Sequence, residues 1–528
     1  MRQASRKLGR VGLHGAMLKN VLTVGGWTMG SRVLGFVRDM MIAAMLGAGP
    51  IADAFFVALK LPNLFRRLFG EGAFNAAFVP EFSGLLATEG PGAARRFAVE
   101  AFSVMVFWLG LLTVLGEIFM PQIMLVLAPG FASTPEKFAL AVDLSRITFP
   151  YLILICLAAL VSGVLNGLER FTAAAASYVL FNIISIASMI WLTPYVPTTG
   201  HALSWGVTVS GVAQLGLLVW AAHRAGMPLS VPRPRMTPDM RRLLRKMAPG
   251  LVGAGVTQLN LAVDVIIASL LPAGTVSLLY YADRIQQLPL GVIGIAVGTA
   301  MLPVLSRQVR MQEVDAAIST VNRAIEYALF LTLPAALALI VSAYPIVWTL
   351  FGRGAFDAES ARLTSQALAA YALGLPSFVL VKVLAPGFFA RGDTATPVRI
   401  GLWCVGLNLG LNVVFMLPLQ HIGPALATSL AAMCNVVWLA LALRRQGHLR
   451  MDRQLLRRVA GMAGASVAMG LVLWGAQRWL FAGDPHGLVR IGALVALVAA
   501  GLVVYGLAAW AFGGADMRAV GRRLLRRG

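Results

Sequence analysis

Apolar stretches of about 20 residues recur along the whole 528-residue chain. Each is long enough to cross a bilayer core of about 30 Å. About fourteen such spans can be counted by apolar runs and their breaks, near 20–46, 52–86, 97–127, 137–166, 172–194, 201–222, 247–271, 275–305, 319–350, 363–390, 397–418, 421–443, 456–481 and 488–513. Only 12% of the residues are charged, and 58% are hydrophobic. A soluble chain would carry about 25% charged residues. The mean hydropathy is +0.78. The class is therefore an all-α polytopic membrane protein, with no sizeable soluble domain.

The net charge of +22 raises nucleic acid as a partner, but the placement of the charges argues against it. Basic residues of membrane proteins collect in cytoplasmic loops. Here the even-to-odd connections carry them: Arg95 and Arg96; Arg170; Arg224, Arg233, Arg235, Arg241, Arg242, Arg245 and Lys246; Arg307 and Arg310; Arg391 and Arg399; Arg444 to Arg458. The connections GAGPIA, TPYVPTTGH, LLPAGT and PLQHIG carry none. Lys137, Arg353, Arg478 and Arg490 are the exceptions. This asymmetry, with an even span count, puts both termini in the cytoplasm. The basic N-terminus (Arg2, Arg6, Lys7, Arg10, Lys19) has no short apolar core with a small-residue cleavage site behind it, so it reads as uncleaved. Cys156, Cys404 and Cys434 lie in apolar windows without pairing or metal spacing, which speaks against disulfides and zinc. The stretch DMRRLLRKM (239–247) fits a helix on the anionic membrane face and equally a solvated linker helix.

The chain repeats itself at a shift of about 225 residues. DMMIAAMLGAG (39–49) aligns with DVIIASLLPAG (264–274), pairing Asp39 with Asp264, Ile42 with Ile267, Ala43 with Ala268 and Gly49 with Gly274. Further on, VPEFS (79–83) meets LPVLS (302–306), and Ser145, Tyr151 and Gly167 meet Ser365, Tyr371 and Gly387. Spans 1–6 thus pair with spans 7–12. Because six is even, the repeats are parallel, related by an axis along the membrane normal. The resulting division is a cytoplasmic N-terminus (1–19), a first lobe (20–222), a linker (223–246), a second lobe (247–443), a loop (444–455), two extra helices (456–513) and a cytoplasmic C-terminus (514–528). Two six-helix lobes form a transporter architecture that rocks between two openings.

Charges interrupt this apolar plan. SRVLGFVRDMM (31–41) carries Arg32, Arg38 and Asp39 inside span 1. Each charge at a bilayer centre costs about 2.5–3.5 kcal/mol on insertion scales. Arg32 and Asp39 are two turns apart on nearly one helix face. Span 2 adds Asp53, Lys60, Arg66, Arg67 and Glu71, and span 8 adds Asp283 and Arg284. These charges can be Arg–Asp pairs that lock helices together, or they can line a watery cavity. Among the charges named in spans 1 and 2, the arginines (Arg32, Arg38, Arg66, Arg67) outnumber the carboxylates available to pair with them (Asp39, Asp53, Glu71), which favours a cavity for a polyvalent anion. Guanidinium forks bind phosphate bidentately and never deprotonate. A cation or drug exporter would show the opposite, carboxylates with few arginines. No HExxH, CxxC, GxSxG, Walker A or DxD pattern is present, and the six histidines fall in tails or loops. Neither an enzyme nor an ATP-driven pump is indicated. A non-transporting scaffold would tolerate loss of the cavity arginines.

Five segments carry a family resemblance: SRVLGFVRDMMIAAMLGAGPIADAFFVALKLPNLFRRLFGEGAFNAAFVP (31–80), LAPGFA (127–132), ITFPYLILICLAALVSGVLNGLERF (147–171), YYADRIQQLPLGVIGIAVGTAMLPVLS (280–306) and KVLAPGFFARGDTATPV (382–398). Over essentially its whole length the chain resembles the MurJ (MviN) lipid II flippases of the MATE-like (MOP) exporter superfamily. The resemblance implies a MATE-like fold in the bacterial inner membrane. It implies transport of undecaprenyl-pyrophosphate disaccharide-pentapeptide, lipid II, to the periplasmic leaflet for peptidoglycan synthesis. Another polyprenyl-linked oligosaccharide is the alternative cargo, and a cation or drug antiporter the alternative transporter. Membrane lipids and cell-wall synthesis or division proteins are the implied partners. By the same resemblance Arg32, Arg38 and Arg284 are the cavity arginines and Asp39 their acidic partner; Asp283 joins them as a candidate on its own place beside Arg284 in span 8. Ser31, Asp53, Lys60 and Arg66 match further functional or gating positions. Gln287 departs from members that have a glutamate there. Spans 13 and 14 match a groove for the polyprenyl tail. No cofactor is implied beyond sodium, which some members bind at positions matching Asp264, Asn408, Asn412 and Thr428. All four supply oxygen ligands suited to a hard cation, while asparagines in membrane helices are also ordinary interhelical glue.

Overall fold

A computed structural model describes residues 2–67 and 73–514, with the side chains of these apart from 2–22, 73, 249, 252–254, 256–257 and 292–300. Glu71 and the C-terminal arginines lie outside the described residues, as do the side chains of the N-terminal basic residues. The described residues contain helices and no strand. This follows from the solvent, since a helix satisfies each of its backbone groups within its own segment. Packing divides the chain into two compact units between Leu270 and Leu271.

The first unit holds α1 (Arg2–Leu46), α2 (Pro50–Phe65), α3 (Ala73–Thr88), α4 (Pro91–Ile118), α5 (Met120–Leu127), a 3-10 helix (Pro129–Ser133), α6 (Pro135–Thr148), α7 (Tyr151–Gly167), α8 (Phe171–Trp191), α9 (Thr199–Arg224) and α10 (Pro238–Ser269). Here α1 packs on α8, α8 and α7 on α9, α2 on α6, and α3 on α7. Stacked Phe74, Phe78, Phe82 and Phe97 join α3 to α4.

The second unit holds α11 (Thr275–Arg310), α12 (Val314–Val341), α13 (Ala343–Phe351), α14 (Ala358–Phe389), α15 (Ala395–Leu419), α16 (Ile422–Arg445), α17 (Arg453–Leu480) and α18 (Gly487–Ala511). α14 is central and packs on α11, α12 and α16. Val379, Val383, Phe388, Leu439 and Leu443 form part of its buried core. The extra pair is anchored to α12. Glu326 accepts from Arg323 and Arg458, and Arg323 reaches Asp452 at 2.7 Å. Tyr505 donates to the Phe330 carbonyl at 2.7 Å.

Ten stretches among the described residues are long and apolar enough to span a membrane: α4, α6 with α7, α8, α9, α12, and each of α14 to α18. The other four of the fourteen sequence spans correspond to α1, α2 with α3, α10 and α11. These are the helices that carry the intramembrane charges. Several sequence spans are broken helices, and proline supplies the reason. It has no N–H to give the carbonyl four residues back. Pro121, Pro150 and Pro345 follow the breaks at Phe119, Phe149 and Ser342.

The four exceptions to the loop charge rule are all held by protein groups. Lys137 pairs with Asp53 at 2.7 Å. Arg353 donates to the Thr349 carbonyl. Arg478 lies 3.6 Å from the Trp474 ring centre. Arg490 covers the Trp348 ring and donates to the Gly352 carbonyl. His201, expected in a loop, sits in the first turn of α9, where it is buried and bonded to Asp143 and Thr198.

The apolar side of the basic stretch 239–247 faces protein. The stretch is the N-terminal end of α10, begun by the Thr237 cap. Met240, Leu243 and Met247 are buried. α10 as a whole packs on α3, α4, α5 and the 3-10 helix. At its far end Gly130 lies so close that a Cβ would stand 1.9 Å from the Ser269 carbonyl oxygen. The Gly130 N–H donates to Ser269 Oγ at 3.3 Å.

Candidate functional site

α1 brings Ser31, Arg32, Arg38 and Asp39 together on one continuous helix. Arg38 is buried, 8% exposed, and Asp39 more so at 3%. Arg38 Nη2 donates to Asp39 Oδ1 at 2.8 Å and Nε to the same oxygen at 3.2 Å. The guanidinium also covers the Phe181 ring of α8, 5.4 Å from its centre. Adjacent helix positions rarely face each other. Here Asp39 and the Phe181 ring together hold the guanidinium in place.

Arg32 differs. It is exposed and makes no ion pair among the described residues. Its neighbours Met29, Val33 and Val37 are exposed apolar side chains. One turn of α8 braces this part of α1. Asn182 Nδ2 donates to the Ser31 carbonyl at 3.1 Å, to Ser31 Oγ at 3.3 Å and to the Tyr178 carbonyl at 3.0 Å. Sequence reasoning passed over Asn182. Its signal was present, a lone amide in an apolar run.

On α2, Asp53 is buried at 1% exposure and binds Lys137 of α6. Lys137 Nζ also lies 4.1 Å from the Phe131 ring centre. Lys60 follows two turns after Asp53 and is half-buried. Arg66 caps the end of α2, its Nε donating to Asn63 Oδ1 at 3.1 Å. It lines a small cavity with Ser162, Ser177 and Tyr178.

In the second unit, Arg284 of α11 donates through Nε and Nη2 to the Tyr280 hydroxyl at 3.0 and 2.9 Å. Asp283 Oδ2 accepts from Gln287 Nε2 at 2.5 Å. The departure at 287 thus has a structural consequence. The amide gives Asp283 a donor where a glutamate would set a second negative charge one turn away.

Three of the four oxygen-bearing positions also meet. Asn408 and Asn412 are fully buried on α15. Asn408 Nδ2 donates to Thr428 Oγ1 of α16 at 3.1 Å. Asn412 Nδ2 donates to Asn408 Oδ1 at 2.7 Å and to its carbonyl at 3.0 Å. These bonds orient the amide, and Asn412 Oδ1 is left buried without a partner among the described residues. Buried polar atoms are nearly always satisfied. An oriented, unmet oxygen fits a hard cation. Asp264, the fourth position, lies on α10.

Helical units of membrane-spanning length, opened by charged helices, define a membrane transporter of MATE-like architecture. The fold resembles an inward-facing multidrug resistance MATE family transporter of the MOP superfamily, with a TM-score of 0.65 at 13% identity over 81% of this chain and 99% of that one. The "Lipid II flippase MurJ" family model matches residues 42–494, and the chain belongs to the lipid II flippase MurJ family. A Rhizobium tropici protein named "Probable lipid II flippase MurJ" is 42% identical, covering 97% of both chains. "Lipid II flippase MurJ" of Burkholderia cenocepacia is 36% identical over 87% of this chain and 90% of its own. A solved structure described as "Lipid II flippase MurJ, inward closed conformation" matches with a TM-score of 0.78 at 25% identity, over 93% of this chain and 98% of that one.

Proposed function

We propose that this protein carries lipid II from the cytoplasmic to the periplasmic leaflet of the bacterial inner membrane by alternating access, supplying peptidoglycan synthesis. Family membership supports the cargo. The observation that carries the mechanism is Arg32, an exposed guanidinium on an apolar helix with no ion pair among the described residues. An intramembrane charge of that kind marks a substrate path. In this reading Arg32 and Arg38 of α1 and Arg284 of α11 take the pyrophosphate. Asp39 orients Arg38, and Tyr280 orients Arg284. Asp283, tuned by Gln287, sets the charge beside it. Ser31 is held by Asn182, Asp53 by Lys137, and Arg66 by Asn63, so they support the charged helices, with Lys60 as an added point charge. The polyprenyl tail stays in lipid or against α17 and α18. Both termini face the cytoplasm, and membrane lipids with cell-wall synthesis or division proteins are the partners.

The membrane potential, negative inside, drives the step. At about 2.3 kcal/mol per charge per 100 mV, a dianion gains about 4–5 kcal/mol moving outward. Sodium supplies a second coupling, bound by Asn408, Asn412 and Thr428 with Asp264. The test is outer-leaflet lipid II in cells that depend on this protein, with Arg32→Ala, Arg38→Ala and Arg284→Ala at matched membrane levels. Loss of exposure with precursor accumulating inside is expected. Normal exposure in all three variants would refute the assignment and return the arginines to helix locking. Unchanged flipping after the potential is collapsed would remove the driving force proposed here.

A further inference from the structure

The N-terminal end of α10 carries four cations on the two flanks of one apolar face. At about 100° per residue, Met240, Leu243, Leu244, Met247 and Leu251 share that face. Arg242 and Lys246 border it on one side, Arg241 and Arg245 on the other. The flanks differ in what they meet. Arg242 and Lys246 both pair with Glu81 of α3, and Arg242 stands 3.5 Å from Asp239. Arg241 and Arg245 are exposed and make no ion pair among the described residues. Glu100, a carboxylate of the packed helix α4, accepts from the Thr237 hydroxyl at 2.9 Å.

The free flank borders a cavity. About 230 Å³ of space lies between α4 and α10, and every lining side chain is hydrophobic, among them Val104, Trp108 and Leu112 of α4 with Leu244 and Leu251 of α10. Trp108 and Leu244 are 55% and 42% exposed, so the cavity opens outward. Its lining runs from Ala101 to Leu112, about 16 Å along α4 at 1.5 Å per residue. That is an elongated apolar slot, and on the helix surface Arg241 is the one-turn neighbour of its exposed lining residue Leu244, with Arg245 next to it. Arginines one turn apart are neighbours on a helix surface and suit a phosphate.

We propose that this slot holds a membrane phospholipid of the anionic class, with one acyl chain between α4 and α10 and its phosphate on Arg241 and Arg245. The lipid supplies the anion that Glu81 supplies on the opposite flank. It holds the start of α10 against the first unit. The proposal needs only that α4 and α10 sit in a membrane, so it stands or falls separately from the cargo assigned above.

The test uses the full chain in phosphatidylcholine vesicles, titrated with phosphatidylglycerol brominated on its acyl chains. Trp108 fluorescence is taken as the difference between wild type and Trp108→Phe. Quenching by brominated phosphatidylglycerol at low mole fraction is expected, with brominated phosphatidylcholine much weaker. Arg241→Gln/Arg245→Gln should weaken it about 25-fold, at about fivefold per arginine near a membrane surface, and Arg241→Lys/Arg245→Lys should keep most of the preference. Equal quenching by the two lipids, or an unchanged titration in the glutamine variant, would overturn the proposal. So would a Trp108 signal insensitive to every brominated lipid.

Discussion

The two sequence repeats build nearly the same packing, apart from their opening helices. In the first unit α8 and α7 pack on α9 and α3 on α7; in the second α15 and α14 pack on α16 and α11 on α14. The first repeat opens with α1, which packs on α8 of its own repeat. The second opens with α10, which packs on α3, α4 and α5 of the first repeat. The charges diverge at the same place. Asp39 has Arg38 beside it, whereas Val263 precedes Asp264. The first repeat sets a guanidinium directly beside its aspartate, whereas the residue beside the matching aspartate of the second is apolar. A repeat in sequence is therefore neither a unit in packing nor a unit in charge.

The largest effect should come from breaking the first unit's buried ion pair. Lys137→Met removes the ammonium bound to the buried Asp53, and breaking a buried pair costs about 3–5 kcal/mol. Denaturant titration in mild detergent measures it, and Asp53→Asn combined with Lys137→Met should recover most of the loss. An unchanged midpoint for Lys137→Met would mean that the other groups around Asp53 are enough to hold it.

Next comes the contact that ties α10 to the first unit. Gly130→Ala places a methyl 1.9 Å from the Ser269 carbonyl oxygen. Backbone must move, and overpacking of this kind costs about 1–3 kcal/mol. Hydrogen exchange should rise at the end of α10 and stay unchanged in α14. Uniform exchange across both helices would show that the contact is not what holds α10.

Sodium should act on the second repeat. Its oxygens cluster around Asn408 and Asn412, and an ion at ten times its dissociation constant stabilises by about 1.4 kcal/mol. Melting should rise in sodium relative to choline, and Asn412→Leu should remove the difference. Equal melting in the two salts would leave these asparagines as glue between α15 and α16.

The smallest effect concerns a helix end of the second unit. Asp357 accepts from the Ser360 N–H at 2.8 Å, and the Ser360 hydroxyl together with this N–H holds its carboxyl below the usual carboxylate range. Asp357→Ala should cost about 1 kcal/mol, as cap losses do. A lowered carboxylate contributes above its unfolded value near 3.9 and stops contributing as pH falls through the folded value. Wild type and variant should therefore differ in melting at neutral pH and converge as the pH falls through the lowered folded value. A difference that persists in acid would mean that the cap does not depend on the charge.

Much of the molecule was legible from residue order alone. Apolar length declares a membrane helix because the bilayer sets the length. The repeat was readable because the shared Asp-x-Met/Ile-Ile-Ala pattern survives at 39–43 and 264–268. Arg32, Arg38, Asp39 and Arg284 stood out because charges in apolar runs are costly. Other features needed three dimensions. Lys137 read as a misplaced loop charge until α6 set it against Asp53. Asn182 read as one more residue of α8 until it was found gripping Ser31. The stretch 239–247 read as amphipathic, but only packing told what covered its apolar face. A solvent acts on each residue alone, so its demands are written locally in the sequence. A partner lies many residues away, and only the folded chain decides which charge meets which carboxylate and which helix of a repeat joins which unit.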